Sequence, residues 1–363
     1  MFLPRRAPPP PPSFSSVANL VRVCSFARVF LNLLEKGTTF PPPLRQGDTE
    51  KKTMEIERND YHVPALLDET LEALQIAPSG TYVDTTFGGG GHSRAILSRL
   101  DADGRLFAFD QDADAEANAP TDDPRFTFIR SNFRYLASFL RYHGIRRVDG
   151  LLADLGVSSH HFDTPRRGFS FRFDGDVDMR MNNRAGRTAA EVLNTYTEEQ
   201  LTHLFRTYGE LTDATRVARA ILRARDGRPI VTTAELTAIL QPIAGRRDAS
   251  GYYAQVFQAL RIEVNDEMQA LDDMLRQALH IIRPGGRLAV ITYHSLEDRP
   301  VKRFIRSGRT DGHCEEDLYG NCLAHIHPVG RKPIVPTADE VARNPRVRSA
   351  KLRVGEITIQ NPQ

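Results

Sequence analysis

An α/β fold built on a doubly wound parallel sheet is what this sequence predicts, and three observations predict it. Short β-branched, apolar segments alternate with helical-period segments from about residue 63 to 154, and again from about 255 to 359. A run of glycines (Gly88–Gly91) follows the first strand, and acids close two later ones, Asp110 and Asp154. Between the two alternating blocks, over 164–252, only helical spacing survives. That pattern places a helical insertion inside an α/β core made of 54–163 and 253–363.

Each element has its own local reason. Val63, Leu66, Leu67, Thr70, Leu71 and Leu74 recur at helical spacing, and Pro78-Ser79-Gly80 stops that helix. Thr81–Thr86 is a short buried strand, and the glycines after it lead into a helix with Ala95, Ile96, Leu97 and Leu100 on one face. Strands at Arg105–Phe109, Phe126–Ile129 and Val148–Ala153 follow, with a helix around Tyr135–Tyr142 before the last. In the insertion, Thr197–Gln200 has capping-box spacing ahead of Leu201, Leu204, Phe205 and Tyr208. Val217, Ala218, Ile221 and Leu222 make a second helical face, and Leu236, Ile239 and Leu240, behind Thr232 or Thr233, make a third. One long helix from Gln255 to Ile282 ends at Pro284-Gly285-Gly286, then strands at Arg287–Thr292 and Lys351–Ile359 complete the sheet.

The chain has 363 residues, 40% apolar and 26% charged, which suffices for one enlarged domain or two. No run of about 18 uncharged apolar residues exists, so no membrane span is expected. Three cysteines (Cys24, Cys314, Cys322) make no disulfide framework and favour a reducing, cytoplasmic setting. Nine of the 23 prolines fall before residue 54, so 1–53 is an extension outside the packed fold, disordered or ahead of a start at Met54. Its Arg-rich, acid-poor stretch also has transit-peptide composition. The extension holds eight Lys/Arg against three acids, a net of +5, whereas the whole chain is +2, so the remainder is −3. Nucleic-acid binding must then come from a local patch. Residues 299–353 offer one, with twelve Lys/Arg against six acids.

In an open parallel sheet, ligands bind beyond the carboxyl ends of the strands. Glycines at the first such end let backbone approach a ligand, and an acid such as Asp110 accepts hydrogen bonds from two ribose hydroxyls. A nucleoside-bearing cofactor follows. Gly88 to Gly91 are contiguous and His92 stands where a dinucleotide fingerprint has its third glycine, which disfavours a nicotinamide oxidoreductase. The Lys-Ser/Thr of a phosphate-binding loop is also missing. S-adenosylmethionine, a nucleoside without phosphate, answers both observations.

Asp84–Ser93 (DTTFGGGGHS) resembles the signature loop of the bacterial ribosomal RNA small-subunit methyltransferase H family (RsmH, also called MraW). So do Asp154–Ser159 (DLGVSS), Arg167–Gly175 (RGFSFRFDG), Asp178–Met181 (DMRM), Phe257–Ile262 (FQALRI), Tyr293–Asp298 (YHSLED) and Asn344–Arg353 (NPRVRSAKLR). The resemblance runs from about His62 to Val354 in the family's order. It implies a class I S-adenosylmethionine-dependent methyltransferase with an inserted helical domain for substrate recognition. The implied reaction is methylation of the exocyclic N4 of a cytidine in the decoding centre of 16S ribosomal RNA, on the small ribosomal subunit. A homodimer is left open. The cofactor contacts carried over are Gly90, Gly91, His92, Asp110, Phe133, Asp154 and His161. At 161 the family usually has Gln, and before Phe257 it often has Thr-Arg-Thr where this chain has Ala254-Gln255-Val256.

The exocyclic amine of cytosine is a poor nucleophile because its lone pair is delocalised into the ring. An acceptor for its N–H bonds localises that pair, and proximity to the methyl donor supplies much of the rest. Asp154 and Ser158 at one strand end, with His294 and Ser295 at another, are the candidates for that cradle. His294 is also a candidate proton acceptor near neutral pH, or else makes a structural hydrogen bond. Phe169, Phe171 and Phe173 alternate with Ser170 and Arg172, either to stack on single-stranded RNA or to form one packed strand edge. His313, Cys314, Cys322, His325 and His327 have metal-ligand chemistry but no common zinc-finger spacing, and no metal is expected. A non-catalytic ribosome-assembly factor that binds RNA alone is the competing function, against which the glycine turn, Asp110 and Asp154 count.

Overall fold

The computed structural model describes residues 64–120, 122–245, 248–314, 316–319 and 322–358. The extension over 1–53, Val63 and Ile359 lie outside them. Seven strands form one sheet: β1 (Thr81–Asp84), β2 (Arg105–Asp110), β3 (Phe126–Arg130), β4 (Val148–Asp154), β5 (Ile282–Thr292), β6 (Ile326–Pro328) and β7 (Lys351–Ile357). Their order is β3-β2-β1-β4-β5-β7-β6. The first five pair in parallel, and β7 runs antiparallel between β5 and β6. The order reverses between β1 and β4, and that switch opens a crevice at their carboxyl ends.

Along the chain the helices are α1 (Leu67–Leu74), α2 (Gly91–Leu97), α3 (Leu136–Tyr142), α4 (Ser159–Asp163), α5 (Ala189–Thr195) and α6 (Glu198–Thr207). Then come α7 (Ala214–Gly227), α8 (Thr233–Ala244), α9 (Ala249–Asn265), α10 (Glu267–Ile281), α11 (Ser295–Ser307) and α12 (Ala338–Arg343). Helices cover both faces of the sheet, so its strands are apolar without alternation. Val83, Phe107, Leu151 and Val290 pack with α3, α10 and α11, while Tyr82, Leu106, Leu152 and Ala289 pack with α1 and α2. No helix among the described residues is long and apolar enough to cross a membrane.

Helices α5 to α9 share a separate apolar core around Leu193, Phe205, Ile221, Leu240 and Phe257. Capping boxes start three of them: Thr188 with Glu191, Thr197 with Gln200, and Thr232 with Glu235. The expected boundary at 252 falls inside α9, whose Tyr252 and Val256 pack into this helical core. The single helix expected over 255–282 is two helices, because Asp266 takes a left-handed conformation (φ 50°) between α9 and α10. Asp is among the few side-chain-bearing residues that tolerate that region. Strand β5 also begins earlier than expected: Ile282 pairs with Val148, and the register shifts through Pro284-Gly285-Gly286 before Gly150 meets Arg287.

Residues 169–173 form no strand. Phe169 is buried and stacks on His161 with ring centroids 4.7 Å apart. Phe171 packs edge-on to Tyr253 and Phe257, and Phe173 is left exposed. Cys314 and Cys322 are joined as a disulfide, a pairing the cysteine count did not suggest, so both sulfurs considered for zinc are bonded to each other.

Candidate active site

A cavity of about 760 Å³ lies over the carboxyl ends of β1, β2, β4 and β5. Its first wall is the turn after β1. Asp84 closes that strand, fully buried, and its carboxylate accepts from the Thr86 backbone N–H (3.1 Å) and the Ser93 hydroxyl (2.7 Å). Gly88 and Gly90 have positive φ (51° and 75°), which the turn into α2 requires. A Cβ on Gly91 would stand 2.2 Å from Pro64 Cγ, so the lead-in segment presses directly on this turn. His92, next along α2, points Nε2 at the Ala65 carbonyl (3.0 Å) and Nδ1 at Asp154 (3.6 Å).

The second wall is built on β2. Asp110 accepts from the Gly88 N–H at 2.8 Å and from the Asp112 N–H at 2.8 Å, one bond per oxygen. A carboxylate has about four lone-pair sites, so roughly two remain for ligand hydroxyls. Burial pushes the Asp110 carboxyl up. Asp112 is different. Burial works against its charge, but His161 at 2.6 Å and the Arg167 guanidinium at 3.0 Å prevail and hold it at about 2. His161 is fixed from the other side by the Ser158 hydroxyl (3.0 Å), which also caps α4.

The third wall joins β4 to β5. Asp154 donates its N–H to the Thr86 hydroxyl (2.7 Å), and its carboxylate accepts from the Tyr293 phenol (2.8 Å). Burial pushes this carboxyl up to about 6; His92 and Tyr293 oppose that, while Asp84 and Glu297 add to it. Beside it, His294 Nε2 lies 3.0 Å from Glu297 Oε1 and 3.2 Å from Arg261 Nη2. Arg261 forks onto Glu267 with two bonds of 2.8 Å across the α9–α10 break. Glu267, His294 and Glu297 bring ligand atoms within 4.8 Å of one another, and the guanidinium of Arg261 supplies positive charge among them.

Of the residues singled out in the sequence, Gly91, His92, Asp110, Phe133, Asp154, Ser158, His161 and His294 line this one cavity. Gly90 sits just behind the wall, its N–H bonded to the Phe87 carbonyl (2.7 Å). Ser295 is not brought in. Its hydroxyl donates to Glu210 at 2.8 Å on an exposed surface, because the first turn of α11 points it away from His294. Sequence inspection missed Asp112, Arg167, Arg261, Glu267, Tyr293 and Glu297. Arg167, Arg261, Tyr293 and Glu297 stood inside quoted motifs; Tyr293 reaches Asp154 and Arg167 reaches Asp112 across long chain separations, whereas Glu297 meets His294 within its own motif. The basic stretch over 299–353 is also less positive than its count. Arg299, Arg309, Arg346, Arg353 and Lys351 face Glu210, Asp311, Asp163 and Asp298, whereas Lys302, Arg303 and Arg306 stand exposed on α11.

Asp84, Asp154, Glu267 and Glu297 put several carboxyl groups in or beside one cavity, with Arg261 among the last two and Arg94 and Arg346 elsewhere on its lining. A ligand with a sulfonium and an ammonium group suits such a site, and Asp110 stands one strand away for a ribose. The fold and the cavity define a class I, S-adenosylmethionine-dependent methyltransferase. The chain belongs to the MraW methylase family, whose model matches residues 59–358. A "Ribosomal RNA small subunit methyltransferase H" of Parabacteroides distasonis is 59% identical over 304 residues, which cover 84% of this chain and 99% of that protein. One of the same name from Flavobacterium johnsoniae is 53% identical over 82% of this chain and 98% of its own length. Among solved structures, an rRNA methylase from Streptococcus thermophilus aligns over 82% of this chain and 98% of its own, at 9% identity and a TM-score of 0.36.

Proposed function

We propose that this chain transfers a methyl group from S-adenosylmethionine to the exocyclic N4 of a cytidine in the decoding centre of 16S ribosomal RNA. The relatives' shared name supports the small-subunit RNA as substrate. The observation that carries the N4 chemistry is Asp154, a half-buried carboxylate at the β4 end, aimed by Tyr293 at 2.8 Å and held near 6. At neutral pH it is ionised enough to accept an N–H of the amine, which localises the nitrogen lone pair. When bound, the cofactor supplies an electrophilic methyl carbon on a positively charged sulfur.

The protein's own groups do the rest. Asp110 would hold the ribose hydroxyls, and Gly90, Gly91 and His92 would shape the turn around the amino-acid end. Phe133 would pack against the base, and His161, locked by Asp112 and Ser158, would close that side. His294 is the group we assign to take the amine's proton, and Ser158 completes the polar wall. A base cannot be reached inside a helical stack, so the target cytidine must be turned out toward the cavity. The helical insertion over 164–252, with Phe173 exposed, is the part we assign to substrate recognition.

The test is incubation of the full chain with labelled S-adenosylmethionine and small ribosomal subunits that lack the modification, followed by nucleoside analysis. Label in an N4-methylated cytidine is the expected outcome. Cofactor binding and RNA binding with no transfer would favour the assembly-factor function instead.

A further inference from the structure

We propose that His161 is a positioning residue: backed by Asp112, it takes up the Ser158 O–H, so that Ser158 Oγ meets the target amine only as an acceptor. Asp112, His161 and Ser158 form one chain of hydrogen bonds that starts in the protein interior and ends on the cavity wall. Asp112 and His161 are 3% and 6% exposed, whereas Ser158 is partly open and lines the cavity. That role rests on the methyl-transfer function proposed above.

The direction of each bond follows from what its partners can do. An ionised carboxylate only accepts. Asp112 takes the Asp114 N–H at 3.1 Å, Arg167 Nη1 at 3.0 Å and His161 Nε2 at 2.6 Å, so Nε2 carries a proton. Arg167 is itself pinned, because its Nη2 donates to the Arg180 and Met181 carbonyls at 3.1 Å each. With the proton on Nε2, Nδ1 has a lone pair, and the donor that fills it is the Ser158 hydroxyl at 3.0 Å. Phe169 stacked on the ring face holds its plane.

A serine hydroxyl has one hydrogen and two lone pairs. Here the hydrogen goes to Nδ1, and one lone pair takes the His161 backbone N–H at 3.4 Å. What remains for the cavity is a lone pair and no hydrogen. An amine N–H suits it, and a carbonyl oxygen in the same place would be repelled. Asp154, at the end of β4, is a second acceptor in the cavity. Two acceptors match the two N–H bonds of an unmethylated exocyclic amine and help localise its nitrogen lone pair. No proton travels along the chain and no bond in it breaks. Its effect is to fix the hydroxyl before the substrate arrives, so that no reorientation is needed during the reaction.

One spectrum and a set of rates on the full chain test this. At about pH 8, above the ordinary imidazole range, ¹⁵N NMR of the wild-type histidines should show His161 protonated on Nε2 and bare on Nδ1, its signals assigned by their loss in His161→Gln. A protonated Nδ1 overturns the proposal, whatever the activity. In single-turnover methylation of small ribosomal subunits, at saturating cofactor and subunits, Ser158→Ala and His161→Leu should each lower the rate about tenfold. Because His161 acts through Ser158, the double variant should lose no more than Ser158→Ala alone. His161→Gln supplies an acceptor and a donor in place of Nδ1 and Nε2–H, and should lose only about two- to threefold. Losses that multiply in the double variant overturn the proposal, since His161 then acts independently of Ser158. So does a wild-type rate in Ser158→Ala, or a loss in His161→Gln as large as in His161→Leu. The cofactor Kd of Ser158→Ala should stay within about twofold of wild type, and about tenfold weaker binding would assign Ser158 to the methyl donor and overturn its role at the amine. Should His161→Leu fail to fold, the spectrum and the Ser158→Ala rate still decide. If the wild-type chain methylates nothing, the proposed function fails, and the spectrum still decides the tautomer.

Discussion

In the proposed function, Asp154 ties methyl transfer to pH. Its carboxyl is pushed up to about 6 by burial, so the fraction ionised and able to accept a hydrogen bond from the amine N–H grows as pH rises through that value. The single-turnover rate should therefore climb between about pH 5 and 7, and Asp154→Asn should lower it about 100-fold or more and flatten that limb. Stability carries the opposite sign. A carboxyl raised from near 3.9 in the unfolded chain to about 6 when folded stabilises the protein below the lower value, and that contribution is lost as pH rises through the upper one. Ligand-free Asp154→Asn should then melt at or above the wild-type Tm at pH 8, as read by calorimetry, while wild type gains on it toward pH 4. Asp110→Ala should weaken cofactor binding about tenfold or more in titration calorimetry, and unchanged affinity would refute its ribose role. Asp110 and Asp154 were legible in the sequence because an acid ending an apolar strand has few other uses. Tyr293 was not, because its bond to Asp154 spans 139 positions, and Arg261 meets Glu297 only where α9 and α11 come together, so no local pattern announces either contact.

Among the elements, the turn ahead of the helical region is held most tightly. Gly168 has φ 72°, and a Cβ there would stand 2.1 Å from the Asp176 carbonyl oxygen, which is backbone and cannot swing aside. Gly168→Ala should cost on the order of 2–4 kcal/mol in denaturant melts and disturb Arg167, whose guanidinium holds Asp112. By contrast, Thr197→Ala removes one exposed cap and should cost about 1 kcal/mol, with turnover unaffected. Caps, apolar periodicity and strand order were readable because they depend on neighbours in sequence. The break at Asp266 was hidden, since α9 and α10 carry one continuous helical pattern. Tertiary contacts select the break: it lets Arg261 fork back onto Glu267, and Asn265 donate to the Met179 carbonyl at 2.8 Å. The loop at 169–173 failed for a related reason, since alternating Phe and polar residues fit a strand as well as they fit a segment folded over α9.

At the scale of the whole molecule, charge is arranged rather than abundant. Carboxyl groups cluster in the cavity, while Lys302, Arg303 and Arg306 form an exposed face on α11, the helix that His294 precedes. If that face meets phosphate, reversing the three charges should weaken subunit binding and reduce its log–log salt dependence by about 0.7–0.9 per lost contact, with cofactor affinity unchanged. The basic count over 299–353 overstated this face because a sequence lists charges without their partners. What holds the account together is one cavity, shaped by the glycine turn and the ends of four strands, which we propose grips the methyl donor. Its most direct test is a crystal structure of the full chain with S-adenosylmethionine. The ribose hydroxyls should lie on Asp110 and the sulfonium methyl should face the space between Asp154 and His294. A donor bound away from Asp110, or with its methyl turned from Asp154, would contradict the account.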